Sequence, residues 1–297
     1  MIEPFIKYLT QEKRYSPHTI KAYTKDLGQF ITYLNAFYEG LPIDRAKHTH
    51  IRSWMVELVG NEVTSKSINR KLSSLRTYYK YMKRGGFIDY DPMLKILPPK
   101  NGKKLPAIIQ EKSLDNLLKL NDERPNTYAA HRDALIIELL YTSGLRRSEL
   151  ISVLVTDIDF SNKWIKVLGK GAKERILPLS DAMLDSLLDY LQIRQDQFEE
   201  IDIDQSLFLT DKGKPLYPKF VYNLVHRHIS KVSTAKKRSP HILRHSFATH
   251  MMNNGADLNA VKELLGHSSL AATQVYTHNS IQKLKETYKT AHPKGLK

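Results

Sequence analysis

The segment HILRH carries two side chains that bind phosphate and move protons. His241 and Arg244 are three residues apart on a predicted helix, so their side chains share one face. A guanidinium binds phosphate oxygens, and a neighbouring imidazole acts as acid or base. A metal site at His241 and His245 is the alternative, but the nearest carboxylates, Asp211 and Asp257, are distant along the chain. The segment therefore predicts a phosphate site without a metal.

Another arginine, Arg146 in the segment GLRRSEL, follows a glycine break after an apolar stripe. The break allows its side chain to point inward, and the neighbouring Arg147 is the alternative. If Arg146 and Arg244 converge on one phosphodiester, their two planar guanidinium groups neutralise both non-bridging oxygens and replace a metal ion. The two positions together predict chemistry at a phosphodiester.

The segment GKGAKER carries Lys170 and Lys173 in a glycine-rich turn. A nucleotide-binding P-loop is excluded, because no serine or threonine follows the lysine and the turn joins two β-type runs. A tight hairpin can hold a lysine where its ammonium reaches a phosphate or a leaving oxygen. The sequence leaves open which of the two lysines does so.

The charge balance indicates a polyanionic partner. The 297 residues contain 46 Lys or Arg against 31 Asp or Glu, a net charge of +15. Eleven Lys or Arg and two acids lie between Lys66 and Lys104, and nine Lys or Arg with no acid lie between Lys212 and Ala256. Single-sign runs of this kind are typical of surfaces that follow a phosphate backbone.

Other protein classes are excluded by what the sequence lacks. It has no cysteine, which removes disulfide scaffolds, thiolate metal sites and cysteine nucleophiles. Its first residues do not resemble a signal peptide, and no apolar run is long enough for a membrane span. A cytoplasmic protein without membrane contact is therefore expected.

Apolar periodicity predicts a mainly helical chain with one small sheet. Four helices and no strand are expected before residue 90, one starting at Ser16-Pro17 and one running from Ser65 to Gly85-Gly86. A hairpin is expected from runs 164–168 and 174–179, and a short strand at 207–209. Further helices are expected at 48–59, 111–120, 131–142, 181–197, 218–232, 240–254 and 257–265.

Taken in order, the motifs GLRRSEL, GKGAKER, HILRH, LLGH and TQVYTH resemble those of the tyrosine recombinases, or lambda-type integrases, and most closely the Xer-type members. The early segment YSPHTIKAYTKDLGQFITYL is similar to the opening helices of that family's core-binding domain. The resemblance implies a SAM-like four-helix core-binding domain at 1–90, a basic linker at 91–106, and an α+β catalytic domain at 107–297. It also implies that these form a C-shaped clamp on DNA. The six family catalytic positions fall on Arg146, Lys170, His241, Arg244, His267 and Tyr276.

The resemblance implies a role for each of these residues. Tyr276 attacks a DNA phosphate and forms a 3′-phosphotyrosyl link, with His241 as base and Lys170 (or Lys173) as acid. His267 donates a hydrogen bond to the phosphate. Neither metal nor ATP is required. Backbone contacts with DNA are expected from Lys66, Arg70, Lys71, Lys80, Lys83, Arg84, Lys173 and Arg175.

The implied partners are a double-stranded recombination site and a tetramer, made of this chain alone or with a second recombinase, which exchanges strands through a Holliday junction. A cell-division DNA translocase is a further candidate partner. The implied role is chromosome dimer resolution, with a DNA invertase or a mobile-element integrase or resolvase as the alternative. A type IB topoisomerase and a non-catalytic DNA-binding regulator are the remaining alternatives.

Overall fold

The computed structural model describes residues 2–100, 102, 108–122, 125–169, 174–198, 205–233, 238–266 and 278–295. The chain divides into two compact units, Met1–Lys104 and Leu105–Lys297, each with its own hydrophobic core. Helices dominate both units, which confirms the predicted fold class. Every described helix is too short or too polar to cross a lipid bilayer.

The first unit is built from the α-helices α1 (Ile2–Lys7), α2 (Pro17–Phe37), α3 (His48–Gly60) and α4 (Ser65–Arg84). The predicted starts are confirmed: the Ser16 side chain accepts the Thr19 N–H at 3.3 Å, and Thr64 caps α4 in the same way. Residues 2–90 are all described and contain no strand, as expected.

The core of the first unit continues beyond residue 90. Pro92–Lys95 forms a 3-10 helix that packs on α3 and α4, and Met93 and Ile96 are buried there. The start of the predicted linker 91–106 therefore belongs to the first unit, because its apolar side chains complete that core.

The second unit holds eight described α-helices and three described strands. Its helices are α5 (Glu111–Asp122), α6 (Tyr128–Ser143), α7 (Arg147–Ser152), α8 (Asp181–Gln197), α9 (Pro218–Val232), α10 (Pro240–Asn253), α11 (Leu258–Leu265) and α12 (His278–Ala291). The predictions for α8 and α9 are confirmed at both ends. Helix α6 begins at Tyr128 rather than at residue 131, because the Thr127 side chain caps it by accepting the Ala130 N–H.

The described strands form one antiparallel sheet in the order β1 (Ile158–Asp159), β2 (Trp164–Leu168), β3 (Glu174–Pro178). The β2–β3 pair is the predicted hairpin, with Leu168 opposite Glu174. The predicted strand 207–209 is wrong. The Leu207 N–H donates to the Val153 carbonyl, whereas Leu209 makes an isolated bridge to Pro215, so no continuous ladder forms.

A buried carboxylate joins α2 and α4 in the first unit. Asp26 is fully buried and accepts hydrogen bonds from Arg70, from Lys71 Nζ at 3.5 Å and from Ser74 Oγ at 2.9 Å. Lys71 is itself only 6% exposed, and its ammonium lies 5.9 Å from the centre of the Trp54 ring. This cluster fixes the register of the two longest helices in the unit.

We expect Asp26→Asn to destabilise the first unit by about 3 kcal/mol, because the buried Lys71 ammonium loses its counter-charge. The value is at the low end for a broken buried pair, since Arg70 is partly exposed. Denaturant unfolding is followed by fluorescence in a Trp164→Phe background, where Trp54 is the remaining tryptophan. The matched control is Asp89→Asn at an exposed site. Equal midpoints for the two variants would contradict this role.

Candidate phosphate-binding site

The carbonyl end of α11 is the centre of a cluster of arginines in the second unit. The helix ends at Leu265, and Gly266 follows with a φ of +62°. Three consecutive carbonyls at this end, which have no partner within the helix, each accept a hydrogen bond from a different arginine. The pairs are Arg175 Nε with Leu264 at 2.9 Å, Arg244 Nη2 with Leu265, and Arg146 Nη2 with Gly266 at 3.1 Å.

Two left-handed glycines allow the arginines to reach this point. Gly144 ends α6 with a φ of +62°, and a Cβ there would lie 2.7 Å from Phe247, so only glycine fits. The turn buries Leu145 and brings Arg146 to the start of α7. Arg244 in α10 also donates to the Gly144 carbonyl, so the same turn holds both arginines.

Glu149 in α7 is the carboxylate that holds the cluster together. It is 3% exposed and accepts from Arg175 Nη1 at 2.9 Å, Arg175 Nη2 at 2.8 Å, Arg146 Nη1 at 2.6 Å and the Arg146 backbone N–H at 2.7 Å. Burial alone would raise the pKa of Glu149, but the hydrogen bonds and charge of Arg175, followed by those of Arg146, lower this pKa to about 2. Glu149 is therefore ionised throughout the physiological range.

The cluster carries excess positive charge. Its described members are three guanidinium groups and one carboxylate, that of Glu149, which binds two of them directly. Burial, followed by the charges of Arg146 and Arg175, lowers the pKa of Arg244 to about 10, which still leaves this side chain charged. A preorganised group of mutually repelling cations is suited to bind an anion, and Arg146 keeps 28% of its side chain exposed to meet one.

His241 lies in the first turn of α10, one turn before Arg244. Partial desolvation and the positive charges of His245, Arg147, Arg244 and Arg146 lower the pKa of His241 below its usual value. Its imidazole is therefore mainly neutral at pH 7 and able to accept a proton.

The structure brings together Arg146, His241 and Arg244 of the six predicted site positions. Lys170, His267 and Tyr276 lie outside the described residues, as does Lys173. In the sequence, His267 directly follows Gly266, whose carbonyl accepts a hydrogen bond from Arg146.

Two of the predicted DNA contacts, Arg175 and Lys71, have side chains that are buried in the fold. Arg175 is 4% exposed and its donors are taken by Glu149 and Leu264, so its guanidinium does not face solvent. Lys71 is engaged with Asp26 and Gln29 inside the first unit. Both residues use their charge within the fold.

The remaining predicted contacts on α4 are exposed and form a basic face. At 100° per residue, Lys66, Arg70, Lys80 and Arg84 lie within about 40° of the direction of Lys66. Lys83 is exposed beside this face. The basic face therefore runs along the whole length of α4, although Arg70 also pairs with Asp26.

Glu149 is a site residue that the sequence predictions missed. Its signal was the spacing in GLRRSEL, where a glutamate at the third helical position can accept the N–H of the residue before the helix. Helix α7 has six residues, which is too short to show helical periodicity. The sequence therefore did not indicate that Glu149 occupies the third position of a helix.

Comparison with known families and structures defines the class. The family model for the Phage integrase family matches residues 108–283, and that for the Phage integrase N-terminal SAM-like domain matches residues 2–86. A crystal structure of the XerH site-specific recombinase bound to a palindromic difH substrate, in a post-cleavage complex, has the same fold. It gives a TM-score of 0.72 at 24% identity and covers 96% of this chain and 82% of that one.

Curated relatives extend the match to the whole sequence. Tyrosine recombinase XerC of Chlorobaculum parvum is 35% identical, over 98% of this chain and 94% of its own length. Tyrosine recombinase XerD of Staphylococcus saprophyticus is 36% identical, over 99% of both. The chain therefore belongs to the phage integrase family of tyrosine recombinases, enzymes that cut and rejoin DNA.

The depressed pKa of Glu149 predicts a pH dependence of stability. The carboxylate is stabilised in the folded state, so its contribution is fully present above its usual pKa of 4.5 and is lost as pH falls towards 2. Relative to Glu149→Gln, the wild type should lose about 3 kcal/mol of unfolding free energy over that interval.

Denaturant unfolding of both proteins at pH 7 and pH 3 should show about 2 kcal/mol of this loss, because pH 3 is still above the folded pKa of Glu149. Glu174→Gln, at an exposed position on β3, is the matched control and should show little change in the difference. A wild-type advantage over Glu149→Gln that is the same at both pH values would contradict the assignment.

Proposed function

We propose that Arg146 and Arg244 bind the two non-bridging oxygens of a scissile DNA phosphate. The observation that carries this proposal is that the two arginines, far apart in sequence, bind adjacent carbonyls at the end of α11 in a cluster with excess positive charge. Two guanidinium groups at one phosphate stabilise the charge of the pentavalent transition state. Neither metal nor ATP has a part in the proposed reaction.

In the proposed reaction, the Tyr276 hydroxyl attacks phosphorus and its proton passes to His241. The bond from phosphorus to the 5′-oxygen breaks, and that oxygen takes a proton from Lys170. The product is a 3′-phosphotyrosyl link and a free 5′-hydroxyl, and attack by a 5′-hydroxyl of the partner strand reverses the step. Lys173 is the alternative acid, and His267 donates a hydrogen bond to the phosphate.

The lowered pKa of His241 supports its role as the base. A neutral imidazole at the start of α10 is in the protonation state that receives the tyrosine proton. After proton transfer, the developing phosphate charge compensates the imidazolium, whose formation the nearby arginines otherwise oppose.

The proposed substrate is a double-stranded recombination site. We propose that this protein acts in a tetramer with itself or with a second recombinase. The matches to relatives named XerC and XerD, at 35% and 36% identity, support a second recombinase as partner. The proposed role is chromosome dimer resolution, for which a cell-division translocase would be a further partner. A DNA invertase or a mobile-element integrase is the alternative within the family.

The first unit is proposed to hold the DNA backbone through the basic face of α4. Exposed cations at helical spacing follow a phosphate backbone, and the match of residues 2–86 to the family's N-terminal domain supports this role.

We expect Tyr276→Phe to bind DNA but to form no covalent adduct, because the ring keeps its shape and loses the attacking oxygen. The site is first mapped by covalent attachment of the purified wild-type protein across its own genome. A suicide substrate is then made from that site with a nick close to the cleavage point, and adducts are counted on denaturing gels.

Tyr15→Phe in the first unit is the matched control and should form adducts at the wild-type rate. Adducts formed by Tyr276→Phe would show that another residue is the nucleophile. Relaxation of supercoiled DNA that lacks the mapped site, without strand exchange, would favour the topoisomerase alternative.

Replacing Lys80, Lys83 and Arg84 by glutamine should weaken DNA binding and flatten its salt dependence. The slope of log affinity against log salt should fall by about one unit for each phosphate that the variant no longer neutralises. Binding to the mapped duplex is measured by fluorescence anisotropy over a range of salt concentrations.

The charge-matched control replaces Lys7, Lys13 and Arg45, exposed cations of the same unit outside the basic face. It should leave the slope close to the wild-type value. If both triple variants give the wild-type slope, α4 lies outside the interface.

A further inference from the structure

Arg175 on β3 is buried, and all three nitrogens of its guanidinium donate hydrogen bonds within the fold. Its Nε donates to the Leu264 carbonyl at 2.9 Å, and its two terminal nitrogens donate to the two oxygens of Glu149 at 2.9 and 2.8 Å. The side chain is 5% exposed. Because each of its nitrogens is engaged inside the fold, Arg175 is not placed to hold a DNA phosphate.

Gly266 packs directly on this guanidinium. A Cβ at Gly266 would lie 3.1 Å from Arg175 Cδ, 3.2 Å from Nη1 and 3.3 Å from Nε. The backbone therefore passes over Arg175 at the residue that precedes His267. The position of Arg175 therefore limits the backbone at Gly266, the first residue after α11.

Glu149 connects Arg175 to Arg146. The Glu149 carboxylate binds both the side chain and the backbone N–H of Arg146, while Arg146 donates to the Gly266 carbonyl. Arg175 and Arg146 thus meet the end of α11 two residues apart and share one carboxylate. The result is a closed ring of hydrogen bonds with Arg175 on its buried side.

We propose that Arg175 is a positioning residue for DNA cleavage. Through Glu149 it sets the guanidinium of Arg146 against the phosphate, and through the Leu264 carbonyl it holds the end of α11 that Arg146 and Arg244 also bind. This inference rests on the proposed function. A lysine cannot replace it fully, because a single ammonium cannot bind both carboxylate oxygens and a carbonyl in this planar arrangement.

Arg175→Met and Arg175→Lys test the proposal on the suicide substrate of the mapped site. In single-turnover experiments, Arg175→Met should form adducts about 100-fold more slowly, since small displacements of a positioning group have effects of this size. Arg175→Lys should be intermediate, because it keeps one hydrogen bond. DNA affinity and its salt slope should stay at the wild-type values.

A double variant shows whether Arg175 acts through Glu149. In the single variant Arg175→Met, the buried Glu149 carboxylate loses its bidentate partner. The double variant Glu149→Gln with Arg175→Met removes that charge as well, which helps the protein to fold. Its adduct rate should equal that of the slower single variant rather than the product of both effects. Independent, multiplying effects would overturn the proposed route through Glu149.

A substrate with sulfur in place of the 5′-bridging oxygen distinguishes a defect in phosphate positioning from a defect in proton donation by the hairpin lysine. A thiolate leaves without a proton donor, so the cleavage defect of Lys170→Ala or Lys173→Ala should disappear on this substrate. The defect of Arg175→Met should remain. Recovery of Arg175→Met would mean that Arg175 acts through the hairpin lysine, and would overturn the proposal.

Arg132→Met is the matched control for loss of a buried arginine. Arg132 is 2% exposed and pairs with Asp133 and Asp211, away from this ring. It should lose stability and keep its adduct rate at temperatures where the protein is folded. A wild-type adduct rate for both Arg175 variants would overturn the positioning role, as would a fall of about one unit in their salt slope. The proposed function is tested separately: it requires that the wild type forms adducts and that Tyr276→Phe does not. If both hold, the Arg175 results bear on the positioning role alone.

Discussion

The second unit depends on the binding of three arginines to the carbonyl end of one short helix. A helix end of this kind has unpaired carbonyls and a partial negative charge, so it attracts cations. Helix α11 uses this property three times, with Arg175, Arg244 and Arg146 on successive carbonyls. The partial charge offsets only part of the repulsion between the guanidinium groups. The cluster is therefore held in place by the fold and still favours an additional anion.

The same contacts connect distant parts of the chain. The start of α7, strand β3, helix α10 and the end of α11 all contribute to one set of hydrogen bonds, so each fixes the others. Buried polar groups tolerate such an arrangement only when their hydrogen bonds are satisfied, and Glu149 meets this condition with four donors. Preorganisation of this kind allows charge stabilisation without reorganisation during the reaction.

Sequence reasoning predicted the long elements and the β2–β3 hairpin, and it missed the shortest elements. Helices α8 and α9 were predicted at both ends because apolar periodicity agrees there with a start signal, the Ser180 cap of α8 and Pro218 at the first position of α9. Helix α7, with six residues, and strand β1, with two, are too short to show a period. Arg146 and Arg244 were identified by their phosphate-binding chemistry in short segments and by the family resemblance. The linking roles of Glu149 and Arg175 depend instead on contacts between distant segments, which no local pattern contains.

Charge counting has a related limit, because a cation in a basic segment can serve the fold instead of a ligand. Lys71 and Arg175 were both counted as DNA contacts, and both are paired with buried carboxylates. Helical phase distinguishes Lys71 from the exposed cations of α4. It lies about 140° from Lys66 around the helix, on the side of the buried Leu75 and Tyr78. No such rule applies to Arg175, since alternation along a strand as short as β3 does not reveal which polar residue finds a partner inside. A phosphate-contact surface is therefore better defined by cations that share an exposed face than by the local excess of positive charge.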